Sequence, residues 1–184
     1  SGTSDLAPLA DQAAMIKEWF PAAKTVGLLY CSNESNSKYQ VSVVAEELKN
    51  LGIDSEEFTF TDSNDIANVT QMACSKVDVI YVPTDNTAAN NTEAIANVVI
   101  PASIPVIAGE EGICKGCGVA TLSISYYDLG YATGEMAARV LQGEDISKMK
   151  IEYAKNVTKK YNQDMVEKLG LTVPSADYEA IAAE

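Results

Sequence analysis

Histidine is absent from this 184-residue sequence, and its absence removes several classes of chemistry. Histidine is the commonest general base and a frequent metal ligand, so His-dependent catalytic triads and most zinc sites are excluded. Basic residues are also few, since 13 Lys and Arg stand against 26 Asp and Glu, which gives a net charge of −13. So acidic a chain is poorly suited to nucleic acid or to an anionic membrane as its main partner.

Long apolar runs and phosphate-binding loops are missing as well. No stretch reaches the roughly 18 apolar residues that a membrane-spanning helix needs. A dinucleotide fingerprint and a Ser nucleophile elbow are also absent. The polar loops described below contain no Arg, and their one Lys is Lys38 at the end of the first loop, so a phosphorylated ligand fits poorly. The sequence begins at Ser1 without a start methionine or a signal peptide, and we expect a mature or excised portion of a longer product.

Three apolar runs that end in short polar loops organise the chain. Each run is continuous and rich in β-branched residues, which is typical of strands buried on both faces of a parallel sheet. Ligands bind at the carboxyl ends of the strands in such sheets, so we expect the three loops to lie side by side along one edge and to carry the function. The runs are 25–30, 79–83 and 104–108, and the loops that follow are 31–37, 84–87 and 109–112.

The order of elements predicts an α/β fold with a doubly wound, mainly parallel sheet and helices on both faces. Right-handed crossovers between parallel strands place helices on the two faces of such a sheet. Strand 55–60 alternates polar and apolar residues and is therefore expected at an edge. The other strands are expected at 25–30, 78–83, 104–108, 119–124 and 150–153. The helices are expected over 9–20, 37–51, 66–73, 87–100, 127–142 and 162–170, followed by a loosely held polar tail over 174–184.

Local signals predict where the helices begin. Ser37 and Gln40 have the spacing of a capping box at the start of the second helix. In the long helix, Gly130 and Gly134 are expected to permit close packing against a neighbouring element. The N-caps predicted for the other helices are Ser4 or Asp5, Asp85, Asp128 and Asn162.

Four cysteines are present, and Cys114 and Cys117 form a CxxC motif. A redox motif places its first Cys at a helix N-terminus, whereas we expect a flexible break at 116–118 and then a strand. Zinc needs four ligands, which no His or second CxxC supplies. A local disulfide and two free thiols stay open as alternatives. Cys31 and Cys74 are expected to be buried thiols.

Several segments resemble the substrate-binding proteins of ABC transporters that are known as tryptophan/tyrosine uptake components. They occur in order over nearly the whole chain and are TSDLAP at 3–8, VGLLY and NExNS within 26–37, VPTDNT at 82–87 and YYDLGYxTG at 126–134. The resemblance implies a periplasmic-binding-protein-like fold of the first type, in which two α/β lobes close on a small solute.

The resemblance also implies that this chain is mostly the second, C-terminal lobe. Segment 3–5 resembles the crossover between lobes, and the opening strands of the first lobe are absent from the sequence. Residues 1–125 would then form the second-lobe core, 126–150 a helix that crosses to the first lobe, and 151–184 the return to the second lobe and a tail. Without its neighbouring strands, we expect that helix to be packed differently. Half a cleft makes half the contacts, so we expect weak or no ligand binding by this chain alone.

The polar loops carry groups that suit a free amino acid. Ser35, Asn36, Ser37 and Thr87 lie where helix N–H groups and hydroxyls would meet a carboxylate. Asp85 is the first choice for the ammonium, and Glu34 or Glu110 the second. Capping and turn roles explain such residues equally well, and Tyr126 or Tyr127 either stacks on an aromatic ligand or packs within the protein. The candidate ligand-binding residues are Ser4, Asp5, Asn33, Glu34, Ser35, Asn36, Thr84, Asp85, Asn86, Thr87, Glu110 and Tyr126.

The leading interpretation is a solute-binding component of an ABC importer. It would capture a small zwitterionic solute, an aromatic amino acid, in the interlobe cleft, without catalysis, metal or cofactor. The expected partners are that ligand and a membrane permease but no nucleic acid, and we expect an extracytoplasmic monomer, periplasmic or a cell-surface lipoprotein.

Two alternatives stay open. The effector-sensing domain of a transcription regulator shares this fold, although the sequence has no DNA-binding segment. A flavodoxin-like enzyme would need carboxylates alone as its acid and base. Neighbouring genes for a permease and an ATPase would favour the importer, and a fused DNA-binding segment would favour the regulator.

Overall fold

A computed structural model of the protein describes residues 1–154 and 156–182. Strands and helices alternate along most of this length. The strands are β1 (Gly2–Ser4), β2 (Thr25–Cys31), β3 (Asp54–Phe60), β4 (Val79–Val82), β5 (Val106–Ala108), β6 (Ala120–Ile124), β7 (Ile151–Tyr153), β8 (Val157–Tyr161) and β9 (Glu179–Ala180). The helices are α1 (Leu9–Trp19), α2 (Ser35–Asn50), α3 (Ile66–Cys74), α4 (Asn86–Ala89), α5 (Thr92–Ala102), α6 (Glu111–Cys117), α7 (Tyr126–Leu141) and α8 (Gln163–Lys168), with a 3₁₀ turn at Ile146–Lys148.

Seven strands form one sheet in the order β3-β2-β4-β5-β6-β8-β9. Every pair from β3 to β6 is parallel, and β8 runs antiparallel to β6. The apolar strands β2, β4, β5 and β6 are almost wholly buried, whereas β3 exposes its first four residues and lies at the edge, as predicted. The prediction of a doubly wound, mainly parallel α/β fold is confirmed. Strand β8 is an element that we did not predict.

Helices cover both faces of this sheet, and two neighbouring residues of β8 show it. Lys159 Nζ lies 3.0 Å from Glu18 of α1, whereas Lys160 Nζ lies 2.8 Å from Glu111 of α6. Successive side chains of a strand point to opposite faces, so α1 and α6 are on opposite sides. Helix α2 packs beside α1, and α3 and α5 pack on the side of α6. The core lies between these layers, with Leu28, Ile80 and Ile107 of the central strands fully buried. No helix of the described residues is both long and apolar enough to cross a membrane.

The chain leaves the large sheet after β6 and forms a small α/β unit from β1, β7 and α7. Strands β1 and β7 pair in parallel as a separate sheet, and α7 packs on β1. The hydroxyls of Thr3 and Thr133 lie 2.6 Å apart across this contact. Within the described part of the chain, a Cβ added at Gly130 or Gly134 would meet no atom within 4 Å. These glycines therefore face open space, and the close packing that we predicted for them is not formed here.

The helix predicted over 87–100 is divided into α4 and α5. The side-chain amide of Asn90 donates to the carbonyl of Asn86 at 2.9 Å, and that of Asn91 donates to the carbonyl of Thr87 at 2.8 Å. Such side-chain donors compete with the backbone N–H groups that would continue the helix. The chain therefore breaks after α4, and α5 begins at Thr92.

Several predicted helix starts are also wrong. Helix α2 begins at Ser35, so Ser37 lies inside it and forms no capping box. Helix α7 is capped by Ser125, whose hydroxyl oxygen accepts from the N–H of Asp128 at 3.1 Å. Helix α1 follows Pro8 and is capped by neither Ser4 nor Asp5. The caps predicted for the helices after Asp85 and Asn162 are confirmed.

The CxxC motif lies within α6 rather than in a flexible break. Glu110 caps this helix by accepting from the N–H groups of Gly112 and Ile113. Cys114 and Cys117 are fully buried free thiols, and burial raises the pKa of both, to about 12 for Cys117. The free-thiol alternative is therefore correct, and thiols in this state are poor nucleophiles. Of the other two cysteines, one is buried as predicted and the one at the end of α3 is only partly buried.

The C-terminal tail is anchored, although we predicted a loosely held segment. Tyr178 is 7% exposed, and its ring meets Trp19 edge-on at a centroid distance of 5.3 Å. Its hydroxyl donates to Glu18 Oε2 at 3.0 Å, and Lys159 Nζ lies 5.0 Å above its ring. Trp19 and Glu18 are more than 150 residues away in sequence, so no local pattern predicts their contact with Tyr178.

We expect Tyr178→Ala to lower the free energy of unfolding by about 3 kcal/mol, because it removes a buried aromatic ring and leaves a cavity beside Trp19. Tyr127→Ala is the matched control, since Tyr127 is 80% exposed and the chemical change is the same. Its effect should stay within about 0.5 kcal/mol. Urea denaturation followed by tryptophan fluorescence measures both. Equal losses in the two variants would show that the tail is not part of the folded core.

Candidate functional site

The carboxyl ends of β2, β4 and β5 meet at one edge of the large sheet. These strands are neighbours and parallel, so the loops that follow them emerge side by side. The side-chain amide of Asn36 donates to the carbonyl of Thr84 at 2.8 Å, and the hydroxyl of Thr84 donates to the carbonyl of Gly109 at 3.4 Å. The loops that we singled out in the sequence therefore contact one another.

Asp85 ties these loops together from inside the protein. Its carboxylate is 1% exposed. One oxygen accepts from the N–H of Cys31 at 2.8 Å and from the hydroxyl of Ser37 at 2.7 Å, and the other accepts from the N–H of Ala88 at 2.8 Å. Hydrogen bonds to an ionised acceptor are among the strongest in proteins. The residue that we ranked first for a ligand ammonium is thus enclosed and engaged by the protein's own donors.

Glu34 makes a second tie between the same loops. Its carboxylate accepts four hydrogen bonds of 2.8 to 2.9 Å from the N–H groups and side chains of Asn86 and Thr87. Partial burial alone would raise the pKa of Glu34, but these hydrogen bonds together outweigh it and lower the pKa to about 2. Glu110 caps α6 in the same manner. The three carboxylates that we proposed for an ammonium all accept hydrogen bonds from loop or helix N–H groups.

A groove of about 440 Å³ opens beside these loops. The crossover segment before α1 forms one side, and the first turns of α2 with the loop after β4 form the other. Two of the lining residues, the exposed Tyr39 and the buried Gln40, follow Asn36 at helical spacing. The lining residues are Ser4, Asp5, Leu6, Asn36, Tyr39, Gln40, Thr84 and Asn86.

The groove contains several unengaged hydrogen-bond acceptors. Asp5 is exposed, and no described residue donates a hydrogen bond to its carboxylate. The amide nitrogens of Asn36 and Asn86 are bound to Thr84 and Glu34, which leaves the amide oxygen of each unengaged among the described residues. Negative charge and free oxygens favour a ligand that brings donors, such as an ammonium group.

Tyr126 extends this edge toward the second crossover. Burial raises the pKa of Tyr126, and the nearby charges of Asp5 and Glu110 raise it further. The neighbouring Tyr127 is far more exposed than Tyr126. Asp5 lines the groove, and its charge also raises the pKa of Tyr126.

Seven of the twelve predicted residues do not line the groove, and Tyr126 is one of these. Asn33 donates from its side-chain amide to the carbonyl of Thr61 at 3.0 Å, which links the loop after β2 to the end of β3. Ser35 is exposed in the first turn of α2. The others are Glu34, Asp85, Thr87 and Glu110, which are held in the loop and cap contacts described above.

Three residues that line the groove were not predicted from the sequence, namely Leu6, Tyr39 and Gln40. Tyr39 and Gln40 lie three and four positions after Asn36 on α2, so they share its helix face. That spacing would have found them once Asn36 was chosen. Within the described residues, no three potential metal ligands are grouped closely enough to hold an ion.

The lowered pKa of Glu34 predicts a pH-dependent contribution to stability. A pKa that is lower in the folded protein than its ordinary value of 4.5 means that Glu34 stabilises the fold above pH 4.5, and that this contribution is lost as the pH falls toward about 2. Glu34→Gln should cost about 1 kcal/mol at pH 7 and flatten the loss of stability below pH 4.5. Denaturant titrations from pH 7 to pH 3 test this. Glu46→Gln, at an exposed position of α2, should leave the profile of the native protein unchanged.

Asp85→Asn should destabilise the protein at neutral pH by about 2–4 kcal/mol, because the amide presents donors where three donors already converge. Asp54→Asn is the control at an exposed position of β3 and should change the free energy of unfolding by less than about 0.5 kcal/mol. Thermal and urea unfolding measure the difference. Similar values for the two variants would mean that the buried carboxylate does not hold the loops.

Comparison with known proteins identifies the family. Residues 1–180 match the family model described as ABC transporter substrate binding protein. A protein of Clostridioides difficile named tyrosine-binding protein is 31% identical over 177 residues, which are 96% of this chain and 51% of that protein. This chain therefore spans about half the length of that curated relative.

Two solved structures resemble the whole chain. One is the ligand-free, open form of a substrate-binding protein with adhesive properties from Clostridium difficile, with 34% identity, a TM-score of 0.82, and coverage of 100% of this chain and 63% of that one. The other is a Streptococcus pneumoniae domain in complex with L-Trp, with 30% identity, a TM-score of 0.89, and coverage of 99% and 64%. The parallel sheet, the polar edge and these likenesses agree, and the chain belongs to the ABC transporter substrate-binding protein family.

Proposed function

We propose that the whole protein captures a free aromatic amino acid for an ABC importer, and that this chain supplies one wall of the cleft. The observation that carries the proposal is the groove in which the free carboxylate of Asp5 lies beside the unengaged amide oxygens of Asn36 and Asn86 and the exposed ring of Tyr39. The relative named for tyrosine and the neighbour solved with L-Trp support an aromatic amino acid as the ligand.

The ligand's ammonium would bind at Asp5. The other carboxylates at this edge are engaged in caps, whereas Asp5 is exposed and accessible from the groove. The ligand's aromatic ring would then lie against Tyr39 or Tyr126, whose rings are both about half exposed. Its carboxylate would face the first turn of α2 at Ser35 and Asn36, where helix N–H groups favour an anion.

Helix α7 of the small α/β unit would belong to the first lobe. It exposes Tyr127, Tyr131 and Leu141, and the last of these is 88% exposed. An apolar patch of this kind on a soluble protein marks a surface that another part of a structure covers. The relatives are longer than this chain and have additional residues that would cover it. On this division residues 1–125 and 151–184 form the second lobe and 126–150 cross to the first, so this chain alone would bind weakly or not at all.

The protein would act outside the cytoplasm, as a monomer in the periplasm or as a cell-surface lipoprotein, and hand its ligand to a membrane permease. It would have no catalytic role, because the carboxylates at the edge that an acid–base mechanism would use are held in caps. Binding of nucleic acid is not expected, because the net charge is −13.

Asp5→Asn should weaken the binding of L-tyrosine and L-tryptophan to the full-length protein at least tenfold, about 1.4 kcal/mol, because the ammonium loses its charged partner. Isothermal titration calorimetry measures the affinities. Asp164→Asn, at an exposed position of α8, is the matched control and should bind like the wild type.

A ligand without the ammonium group tests whether Asp5 binds the ammonium. 3-(4-Hydroxyphenyl)propionate keeps the ring and the carboxylate of tyrosine, and its affinity should not decrease in the Asp5→Asn variant. Equal losses for both ligands would place the ammonium elsewhere. Failure of the wild-type full-length protein to bind either amino acid would refute the aromatic ligand, and tight binding by the 184-residue chain alone would refute the division into lobes.

A further inference from the structure

A buried chain of hydrogen bonds runs from the core to the wall of the groove. The hydroxyl of Tyr81 on β4 donates to Gln12 Oε1 on α1 at 2.5 Å, and Gln12 Nε2 donates to the carbonyl of Gly109 at 3.1 Å. The same carbonyl accepts from the hydroxyl of Thr84, which lines the groove. Both Tyr81 and Gln12 are 0% exposed. Three elements that are distant in sequence are thus joined at one carbonyl oxygen.

The backbone at this carbonyl has no room to shift independently. A Cβ at Gly109 would lie 2.6 Å from the carbonyl carbon of Pro83 and from the nitrogen of Thr84. The N–H of Gly109 also donates to the carbonyl of Val82 at 2.7 Å. A displacement of Gly109 would therefore move the turn that carries Thr84.

Gln12 also connects the two sides of the groove. It lies on α1, the helix that directly follows the crossover segment with Ser4 and Asp5, whereas Gly109 contacts the loop on the other side. The hydrogen bond from Gln12 to Gly109 joins a side chain of α1 to the loop after β5. It therefore links the helix that follows Asp5 to the loop that contacts Thr84.

A buried amide and a buried phenol are costly choices for a core. Each loses its hydration, whereas leucine and phenylalanine would fill similar volumes without that loss. Burial raises the pKa of Tyr81, so its hydroxyl keeps its proton and acts as a donor at neutral pH. Polar groups at these positions indicate a requirement for a defined geometry rather than for packing alone.

We propose that Gln12 and Tyr81 are positioning residues for ligand recognition, which hold the Gly109 carbonyl and set the width of the groove between Asp5 and Thr84. The inference rests on the proposed function, since it concerns the same groove. Neither residue would touch the ligand. Loss of their hydrogen bonds would weaken binding by misplacing the groups that do.

The test uses Gln12→Leu and Tyr81→Phe in the full-length protein. We expect Gln12→Leu to weaken L-tyrosine and L-tryptophan binding about tenfold and Tyr81→Phe about threefold, measured by calorimetry well below the melting temperature. Thr70→Val is the matched control, because Thr70 is also fully buried and its hydroxyl bonds within α3, to the carbonyl of Ile66 at 2.7 Å. It should lower the melting temperature without changing either affinity.

The double variant separates positioning from stability. Gln12→Leu leaves the buried hydroxyl of Tyr81 without its partner, so adding Tyr81→Phe should raise the melting temperature again. Affinity should not recover, because the Gly109 carbonyl still lacks the Gln12 amide. Recovery of affinity together with stability would overturn the proposal, as would affinities within twofold of the wild type in folded Gln12→Leu protein.

A second measurement is independent of the ligand. Backbone amide chemical shifts of Thr84, Gly109 and Glu110 should change in Gln12→Leu and stay constant in Thr70→Val. Constant shifts in both would overturn the positioning role even if the wild type binds an amino acid. Conversely, a wild-type protein that binds neither amino acid, but shows the shift changes, would refute the proposed function and leave the positioning of the loop intact.

Discussion

The enclosed carboxylate of Asp85 is the interaction on which the functional edge depends. It joins the end of β2, the first turn of α2 and the start of α4 through three hydrogen bonds. Burying a charge is costly unless donors replace its hydration, and two backbone N–H groups and one hydroxyl do so here. The loops of the site are therefore held by a core group, which gives polar surface loops the rigidity of the sheet beneath them.

The other carboxylates at this edge differ in whether the protein donates hydrogen bonds to them. Glu34 and Glu110 are engaged at the start of α4 and α6, and the low pKa of Glu34 shows that its environment favours the anion. Asp5 stands apart because it lies in the crossover segment and no described residue donates a hydrogen bond to its carboxylate. Asp85, Glu34 and Glu110 thus hold the wall of the groove together, whereas Asp5 faces the groove.

Two buried polar systems hold this wall from opposite sides. Asp85 acts between β2, α2 and α4, whereas Gln12 acts between α1 and the ends of β4 and β5. Thr84 lies between them, since Asn36 binds its carbonyl and Gly109 accepts from its hydroxyl. Where the strands end, the sheet no longer supplies hydrogen-bond partners for the backbone, and side chains supply them instead.

The sequence by itself determined the sheet and its polar edge. Continuous apolar runs such as 79–83 form strands that are buried on both faces of the sheet. Neighbouring strands that are parallel have their carboxyl ends at the same edge. Local patterns failed for Tyr178, because its partner Trp19 is distant in sequence. They also failed at Asn90 and Asn91, because these side chains donate to carbonyls four residues earlier and so break the helix. Only the tertiary structure decided which polar residues face the groove. Asp85 and Asp5 look alike in sequence, and their different roles depend on donors about 50 residues away that folding brings to one and not to the other.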